Sequence, residues 1–196
     1  MFKHRNLAMR IEIISGSPRQ GSITHRLALH LLQRLQQEGV DVGVIALHEN
    51  PLPFVQNVWS KPEAAPAEHR DLAERMFAAD GFILVTPEYN GVYSAALGNL
   101  FDHFPKQARK AFGLAPASTG GMGGIRSALH LQQLVYGLFG IGSPFMLVTP
   151  QVDKKFDADG ALLDASFEKQ VHQFLHEFLW LSRSLTGATQ EQKAVA

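Results

Sequence analysis

The sequence predicts an α/β protein: a doubly wound, five-stranded parallel sheet of order 2-1-3-4-5 with helices on both faces. Three observations carry this expectation. Five short apolar runs alternate along the chain with five segments of helical spacing. The third run, Phe82 to Thr86 (FILVT), is apolar at nearly every position, as a strand buried on both faces of a parallel sheet must be. The three unusual loops of the chain follow runs 1, 3 and 4, and this strand order brings those carboxyl ends to one crevice.

In chain order, the first strand starts at Ile11 and breaks at Gly16. A helix follows, with Ile23, Leu27 and Leu31 on one row and Ala28, Leu32 and Leu35 beside it. Glu38-Gly39 reads as its C-terminal cap. Val40 to Leu47 (VDVGVIAL) is the second strand. Pro51 to Pro66 holds four prolines and no period, so it wraps the surface as a loop. Its Trp59 either packs down on the domain or lies near a planar cofactor. Leu72, Met76 and Phe77 mark the next helix, ending near Asp80-Gly81. After FILVT comes Pro87-Glu88-Tyr89-Asn90-Gly91, then a short helix from about Ser94 to Phe104. Ala111 to Ala117 is the fourth strand and runs into Ser118 to Gly124 (STGGMGG). A helix over Ile125 to Phe139 is closed by Gly140-Ile141-Gly142, and Pro144 to Thr149 (PFMLVT) is the fifth strand. A polar loop, Val152 to Asp164, leads to the last helix, Ala165 to Leu185. Residues 1–9 read as a disordered extension, with Met9 a second candidate start. Residues 10–186 form a single domain, and residues 187–196 a frayed tail.

The chain has 196 residues, enough for one domain with a substantial core. Lys plus Arg equals Asp plus Glu at 18 each, which argues against nucleic acid or an acidic membrane surface as partner. There is no cysteine, which excludes disulfides, thiolate metal sites and a cysteine nucleophile, so any redox chemistry needs a cofactor. No apolar run approaches the roughly 18 to 20 residues that cross a bilayer. MFKHRNLAM lacks the apolar segment of a secretion signal. The expected location is the cytoplasm.

The stretch Ile11 to Arg26 (IEIISGSPRQGSITHR) has the strand–glycine loop–helix form in which backbone N–H groups and a helix N-terminus face an anion. Ser15, Ser17, Ser22 and Thr24 add hydroxyls, Arg19 adds a fork of charged donors, and no carboxylate intervenes. The same residues also fit an ordinary βα turn with a capping serine. If a phosphate binds, its class is narrowed by what is missing. Gly16 and Gly21 have Walker spacing, but Ser22 and Ile23 stand where Lys and Ser/Thr belong, and the dinucleotide G-x-G-x-x-G is absent. A monophosphate remains, and flavin mononucleotide (FMN) is the commonest such cofactor on an open parallel sheet.

Three motifs together resemble the NADPH-dependent FMN reductase family, flavodoxin-like proteins that include flavin, quinone, azo-dye and chromate reductases: GSPRQGSIT (Gly16 to Thr24), TPEYNG (Thr86 to Gly91) and STGGMGG (Ser118 to Gly124). The resemblance spans about Arg10 to Val152, and PEYNG directly after a buried strand is its most specific part. It implies that Ser17, Arg19, Ser22, Ile23 and Thr24 hold the FMN phosphate. It implies further that Pro87, Glu88, Tyr89, Asn90 and Gly91 line the ribityl chain and one ring edge, and that Ser118, Gly120 and Gly121 lie on the pyrimidine side. Tyr89 also fits a core aromatic, and Glu88 a solvated loop charge. Three positions depart from the family pattern. Thr24 replaces an asparagine, Gly98 stands where a lysine is usual, and AFGLAPAS lacks the usual Lys-Pro entry.

The implied function is an NAD(P)H oxidoreductase with NADPH or NADH as co-substrate. Hydride passes from nicotinamide to the flavin and then to a small-molecule electron acceptor, by a ping-pong sequence. The alternative is a flavodoxin-like electron carrier or flavin-binding regulatory module without nicotinamide turnover; such carriers tend to be acidic and this chain is neutral. His172 and His176 lie one helical turn apart, a spacing that binds metal, but a solvated helix edge explains them without a third ligand. Ser15 and Ser17 lack a nucleophile elbow, and Glu49 reads as a surface residue. A homodimer or homotetramer is expected from surplus apolar residues. Ile125, Ala128, Leu129, Tyr136 and Phe139 are assigned to the sheet-facing stripe, with Leu131, Leu134 and Leu138 as excess, and Trp180 lies opposite Val171, Phe174 and Phe178.

Overall fold

A computed structural model of the protein describes residues 9–195, with side chains through 187. Residues 1–8 of the expected extension, and the side chains of 188–196 in the expected tail, lie outside the described residues. In order come β1 (Arg10–Ser15), α1 (Thr24–Gln37), β2 (Asp41–Ala46), α2 (Arg70–Ala78), β3 (Gly81–Thr86), α3 (Ala95–Asp102), β4 (Ala111–Pro116), α4 (Ile125–Gly137), β5 (Ile141–Gly142), α5 (Val152–Lys155) and α6 (Glu168–Val195). The strands form one parallel sheet in the order β2-β1-β3-β4-β5, as the sequence predicts.

The two faces of the sheet explain why its strands read as unbroken apolar runs. Along β3, Ile83 and Val85 join the cluster under α1 and α6, with Leu27, Leu31, Phe174 and Phe178. Phe82 and Leu84 point the other way, to Met76 of α2, Leu97 and Phe101 of α3, and Leu131 of α4. Each large side chain so buried stabilises the fold by about 1.5–3 kcal/mol relative to exposure. β1 carries one exception. Glu12 is fully buried, and its carboxylate is held by Arg10 and Arg75, with Arg75 also donating to the Val44 carbonyl at 2.9 Å. A buried carboxylate without such partners would cost several kcal/mol. Trp59 is buried between His69, His103 and Phe104, so it pins the proline-rich loop to the domain rather than facing a ligand.

Four expectations change. The fifth strand is not a continuous Pro144–Thr149. β5 pairs with Ala111 and Phe112 through Ile141 and Gly142, then breaks at Ser143-Pro144. The chain rejoins the edge where Leu147 N–H donates to Leu114 at 2.9 Å and Thr149 N–H to Pro116 at 3.0 Å. Proline has no N–H, so the ladder cannot run through Pro144. The polar loop contains the short helix α5, and the last helix continues in backbone to Val195 rather than ending at Leu185. Finally, α4 is rotated from its expected face. Ala128, Leu131, Val135 and Leu138 are buried, while Leu129 is 57% exposed, Tyr136 78% and Phe139 64%. Trp180 does lie opposite Val171, Phe174 and Phe178, as expected.

Candidate functional site

The loops after β1, β3 and β4 meet at the carboxyl ends of the central strands, where parallel α/β sheets bind ligands. They enclose a crevice of about 460 Å³, within the range of small-molecule sites. The first loop must pass close to β3. Gly16 N–H donates to the Val85 carbonyl at 2.7 Å, and a Cβ on Gly16 would stand 3.0 Å from that oxygen. The Ser94 hydroxyl ties the first loop to the third by donating to the Gly16 carbonyl. Ser94 also caps α3 by accepting from Leu97 N–H at 3.2 Å. Its own N–H donates to Thr86 Oγ1 at 3.2 Å. This buried hydroxyl hub was invisible in the sequence, where Ser94 read only as the start of a helix.

The end of the crevice formed by the first loop is rich in donors. Ser17, Arg19, Ser22, Ile23 and Thr24 all line it, together with Gln20 and Gly21 of the same motif, which were not assigned to the site from sequence. Ser22 and Thr24 share a hydroxyl hydrogen bond of 2.9 Å, and Ser17 Oγ accepts from Arg19 N–H at 3.3 Å. The N-terminus of α1 has Ile23 at its cap with no side-chain hydrogen bond and no acidic residue in its first turn. The N–H groups of His25 and Arg26 donate to the Ser22 and Ile23 carbonyls at 3.1 and 3.2 Å, which leaves those of Ile23 and Thr24 to an external acceptor. Arg19 is the one cation in this lining, and its guanidinium lies 4.6 Å from the centre of the Tyr89 ring, bridging the first and third loops.

Beneath this loop Ser15 Oγ lies 2.9 Å from His25 Nδ1, and the His25 and His48 rings meet edge to face at 5.2 Å. Gln20 Nε2 donates to the His48 carbonyl at 3.1 Å, anchoring the loop to the end of β2. Burial, with His48 adding to it, pushes the His25 pKa below its ordinary value.

Pro87, Glu88 and Tyr89 of the third loop also line the crevice. Asn90 and Gly91 lie at the tip of a tight hairpin beside it and are not among the lining residues. Their φ values of 53° and 85°, with Tyr89 and Val92 exchanging backbone hydrogen bonds, make a two-residue turn of the type that favours Asn-Gly. In the fourth loop Ser118 lines the crevice, joined by Ala117 and Thr119, whereas Gly120 and Gly121 lie exposed outside the lining. Gly123 is the position that the backbone demands. Its φ is +62° and a Cβ would come within 2.6 Å of Pro150 N, where the interrupted edge strand crosses the loop. Val152, the first residue of α5, reaches the crevice from just beyond that crossing, and its reading as the start of a polar loop hid it.

Glu88 is not a solvated loop charge. Its side chain is 10% exposed and forms an ion pair with Arg126. Nearby, Gly98 leaves room for the half-buried Tyr93 ring, since a Cβ there would stand 3.3 Å from Tyr93 Cε2. His172 and His176 lie exposed on α6, far along the chain from these loops, with rings stacked at 6.4 Å.

The donor set suits a terminal phosphate. Hydroxyls, an uncapped helix end and one arginine gather at one end, and the only carboxylate of the lining, Glu88, belongs to the third loop and is already paired. The profile of the family described as NADPH-dependent FMN reductase matches residues 9–149. An FMN-dependent NADPH-azoreductase of Staphylococcus haemolyticus is 31% identical over 173 residues, covering 85% of this chain and 92% of that protein. The flavoenzyme NAD(P)H:acceptor oxidoreductase FerB of Paracoccus denitrificans superposes with a TM-score of 0.69 at 20% identity, covering 90% of this chain and 98% of FerB. A flavodoxin mutant from Pseudomonas aeruginosa does so at 0.54 and 19%, covering 87% and 99%. These two likenesses concern the fold.

Proposed function

The chain belongs to the NADPH-dependent FMN reductase family, and from that premise we propose how its crevice works and on what. It is an FMN-dependent NAD(P)H oxidoreductase. Ser17, Ser22, Thr24, Arg19 and the open N–H groups of Ile23 and Thr24 would hold the FMN phosphate, with Pro87, Tyr89 and Ser118 beside the rest of the cofactor. When bound, FMN supplies the hydride acceptor, the chemistry a chain without cysteine cannot provide itself. The protein contributes orientation and electrostatics. A single crevice serves nicotinamide and acceptor in turn, so the reaction is ping-pong. The acceptor is planar or small: a flavin, quinone, azo dye or chromate-type oxidant.

The observation that carries this reading is the gathering of donors from the first loop at an uncapped helix end, with no free carboxylate among the lining residues. The test is direct. Purified protein, reconstituted if colourless, should show an FMN spectrum that bleaches on NADPH addition, and initial rates with a quinone or azo dye should give parallel double-reciprocal lines. Intersecting lines overturn the ping-pong sequence, and FAD binding without FMN binding overturns the cofactor assignment.

The protein is a homodimer or homotetramer in this reading. Leu129, Tyr136 and Phe139 leave an apolar outer face on α4, with exposed Met122 in the loop leading into it. A second copy related by a two-fold axis would cover this face and close the mouth of the crevice. Light scattering near 21.6 kDa with FMN bound would refute it. In this reading the enzyme works in the cytoplasm, where reduced nicotinamide dinucleotides are held. No helix among the described residues is long and apolar enough to cross a membrane.

A further inference from the structure

Glu88, which lines the crevice, and Arg126, which stands outside that lining, form a device that neither helix capping nor ligand contact alone explains. Glu88 Oε1 accepts from Arg126 Nε at 2.7 Å and lies 2.5 Å from Nη2. Oε2 accepts the backbone N–H groups of Arg126 and Ser127 at 3.2 and 3.4 Å. Those are the second and third residues of α4, the donors an N-cap side chain normally satisfies. The cap residue itself, Gly124, makes no side-chain hydrogen bond. A carboxylate from the third loop therefore caps the helix that follows the fourth loop, and neutralises an arginine that is 65% exposed at the crevice rim.

The charges in play are three. The N-terminus of α4 carries about half a positive charge, Arg126 a full one, and Glu88 a full negative one. Hydride delivery from NAD(P)H to FMN moves two electrons and one proton, and adds one negative charge to the crevice. Taking the FMN reading above as its basis, we infer that Glu88 is a positioning residue for the redox chemistry. It pins the third loop to the fourth and, by offsetting Arg126 and the helix end, sets how strongly the site favours reduced flavin. Without Glu88 the positive groups act uncompensated, and reduced flavin is over-stabilised and passes hydride on less readily. Without Arg126 the carboxylate opposes the added charge, and the flavin is harder to reduce.

The two halves of the pair must therefore move the flavin potential in opposite directions. The experiment titrates FMN-loaded wild type, Glu88→Gln, Arg126→Gln and the double variant against a reference dye at low salt. Glu88→Gln should raise the reduction equilibrium about tenfold, which is about 30 mV for a two-electron couple. Arg126→Gln should lower it by a similar factor, and the double variant should return close to wild type. A purely structural tether predicts shifts of the same sign, or weaker FMN binding with no shift, and either result overturns the inference. Arg126 is largely exposed, so Arg126→Gln remains folded even if Glu88→Gln does not. An unmoved or raised potential in Arg126→Gln alone is enough to reject it. Wild type that takes up no FMN overturns the cofactor assignment as well; uptake with unmoved potentials overturns this inference alone.

Discussion

The N-termini of α1 and α4 open onto the same edge of the sheet, and the protein treats them in opposite ways. Both helices begin without a side-chain cap from their own cap residue and without an acidic residue in the first turn. At α4 the deficit is met internally, by the Glu88 carboxylate reaching over from the third loop. At α1 no carboxylate does so: the N–H groups of His25 and Arg26 turn back to the Ser22 and Ile23 carbonyls at 3.1 and 3.2 Å, those of Ile23 and Thr24 are left open, and Ser17, Ser22, Thr24 and Arg19 line the space in front of them. Equal helix dipoles thus receive unequal partners, and the end without an internal anion is the one kept for a ligand's anion. A gathering of donors is a weak signal by itself. Set beside a matching helix end that is fully satisfied, it becomes a strong one.

The most severe way to break this contrast is to give α1 an internal anion of its own. Ser22→Asp places a carboxylate where the phosphate belongs, and like-charge juxtaposition costs several kcal/mol. FMN affinity should fall by about 100-fold or more, roughly 3 kcal/mol, while the apoprotein keeps or gains stability because the helix end is now capped. Fluorescence titration of FMN and thermal melts of the apoprotein measure both halves. Unchanged affinity would put the phosphate elsewhere.

A milder cut removes the cation. Arg19→Ala should weaken FMN binding by about 1.5–3 kcal/mol, the worth of charge-assisted hydrogen bonds. It also removes the Arg19–Tyr89 bridge between the first and third loops, so FMN should dissociate faster, which stopped-flow displacement reads. An unchanged affinity and off-rate would mean that Arg19 serves only the apo loop.

The α4 end gives the converse. Glu88→Ala should cost about 1 kcal/mol of apoprotein stability, the usual price of a lost N-cap, whereas Ser22→Ala should cost less because no cap is lost. Denaturant midpoints compare the two directly. Equal losses would erase the difference between the helix ends.

How much of this was legible in the sequence follows from which forces are local. The sheet order and the first four strands were readable because Ile83/Val85 and Phe82/Leu84 each need a buried face, and only a sheet covered on both sides supplies two. The donors of the first loop were readable because they are contiguous. Glu88 was not, because its partners lie 38 and 39 residues away and a glutamate in a loop looks solvated by default. Glu12 was hidden for the same reason, its partner Arg75 being 63 residues distant. The face of α4 was misassigned because Tyr136 and Phe139 are the largest apolar side chains in the segment and drew the stripe toward themselves. The observed rotation instead seats the smaller Ala128, Leu131 and Val135 on the sheet, with Ser127 Oγ closing back on the Gly124 carbonyl at 2.7 Å. The fifth strand failed at Pro144, where an apolar run and a continuous ladder are different things.

The smallest effect concerns pH and sharpens the contrast from below the α1 end. His25 is the second residue of α1, bonded to Ser15 and edged against His48, with the charge of Glu49 acting the other way. Its folded pKa lies below 6.5 because burial and His48 disfavour the imidazolium, and a positive charge in the first turn also opposes the helix dipole. The folded protein therefore binds fewer protons at this position than the unfolded chain. Apoprotein stability should be unaffected by His25 above pH 6.5, fall as pH drops through it, and level off below the folded pKa. His25→Gln keeps a polar partner for Ser15 and should flatten that part of the profile. A dianionic phosphate seated at the α1 end would favour the imidazolium and raise the folded pKa towards that of the unfolded chain, so bound FMN should narrow the window from its acid side and shrink the loss of stability. Melts from pH 5 to 8, with and without FMN, separate the cases. A profile that FMN leaves in place would show that the phosphate does not sit over His25, and that the open end of α1 serves some other purpose.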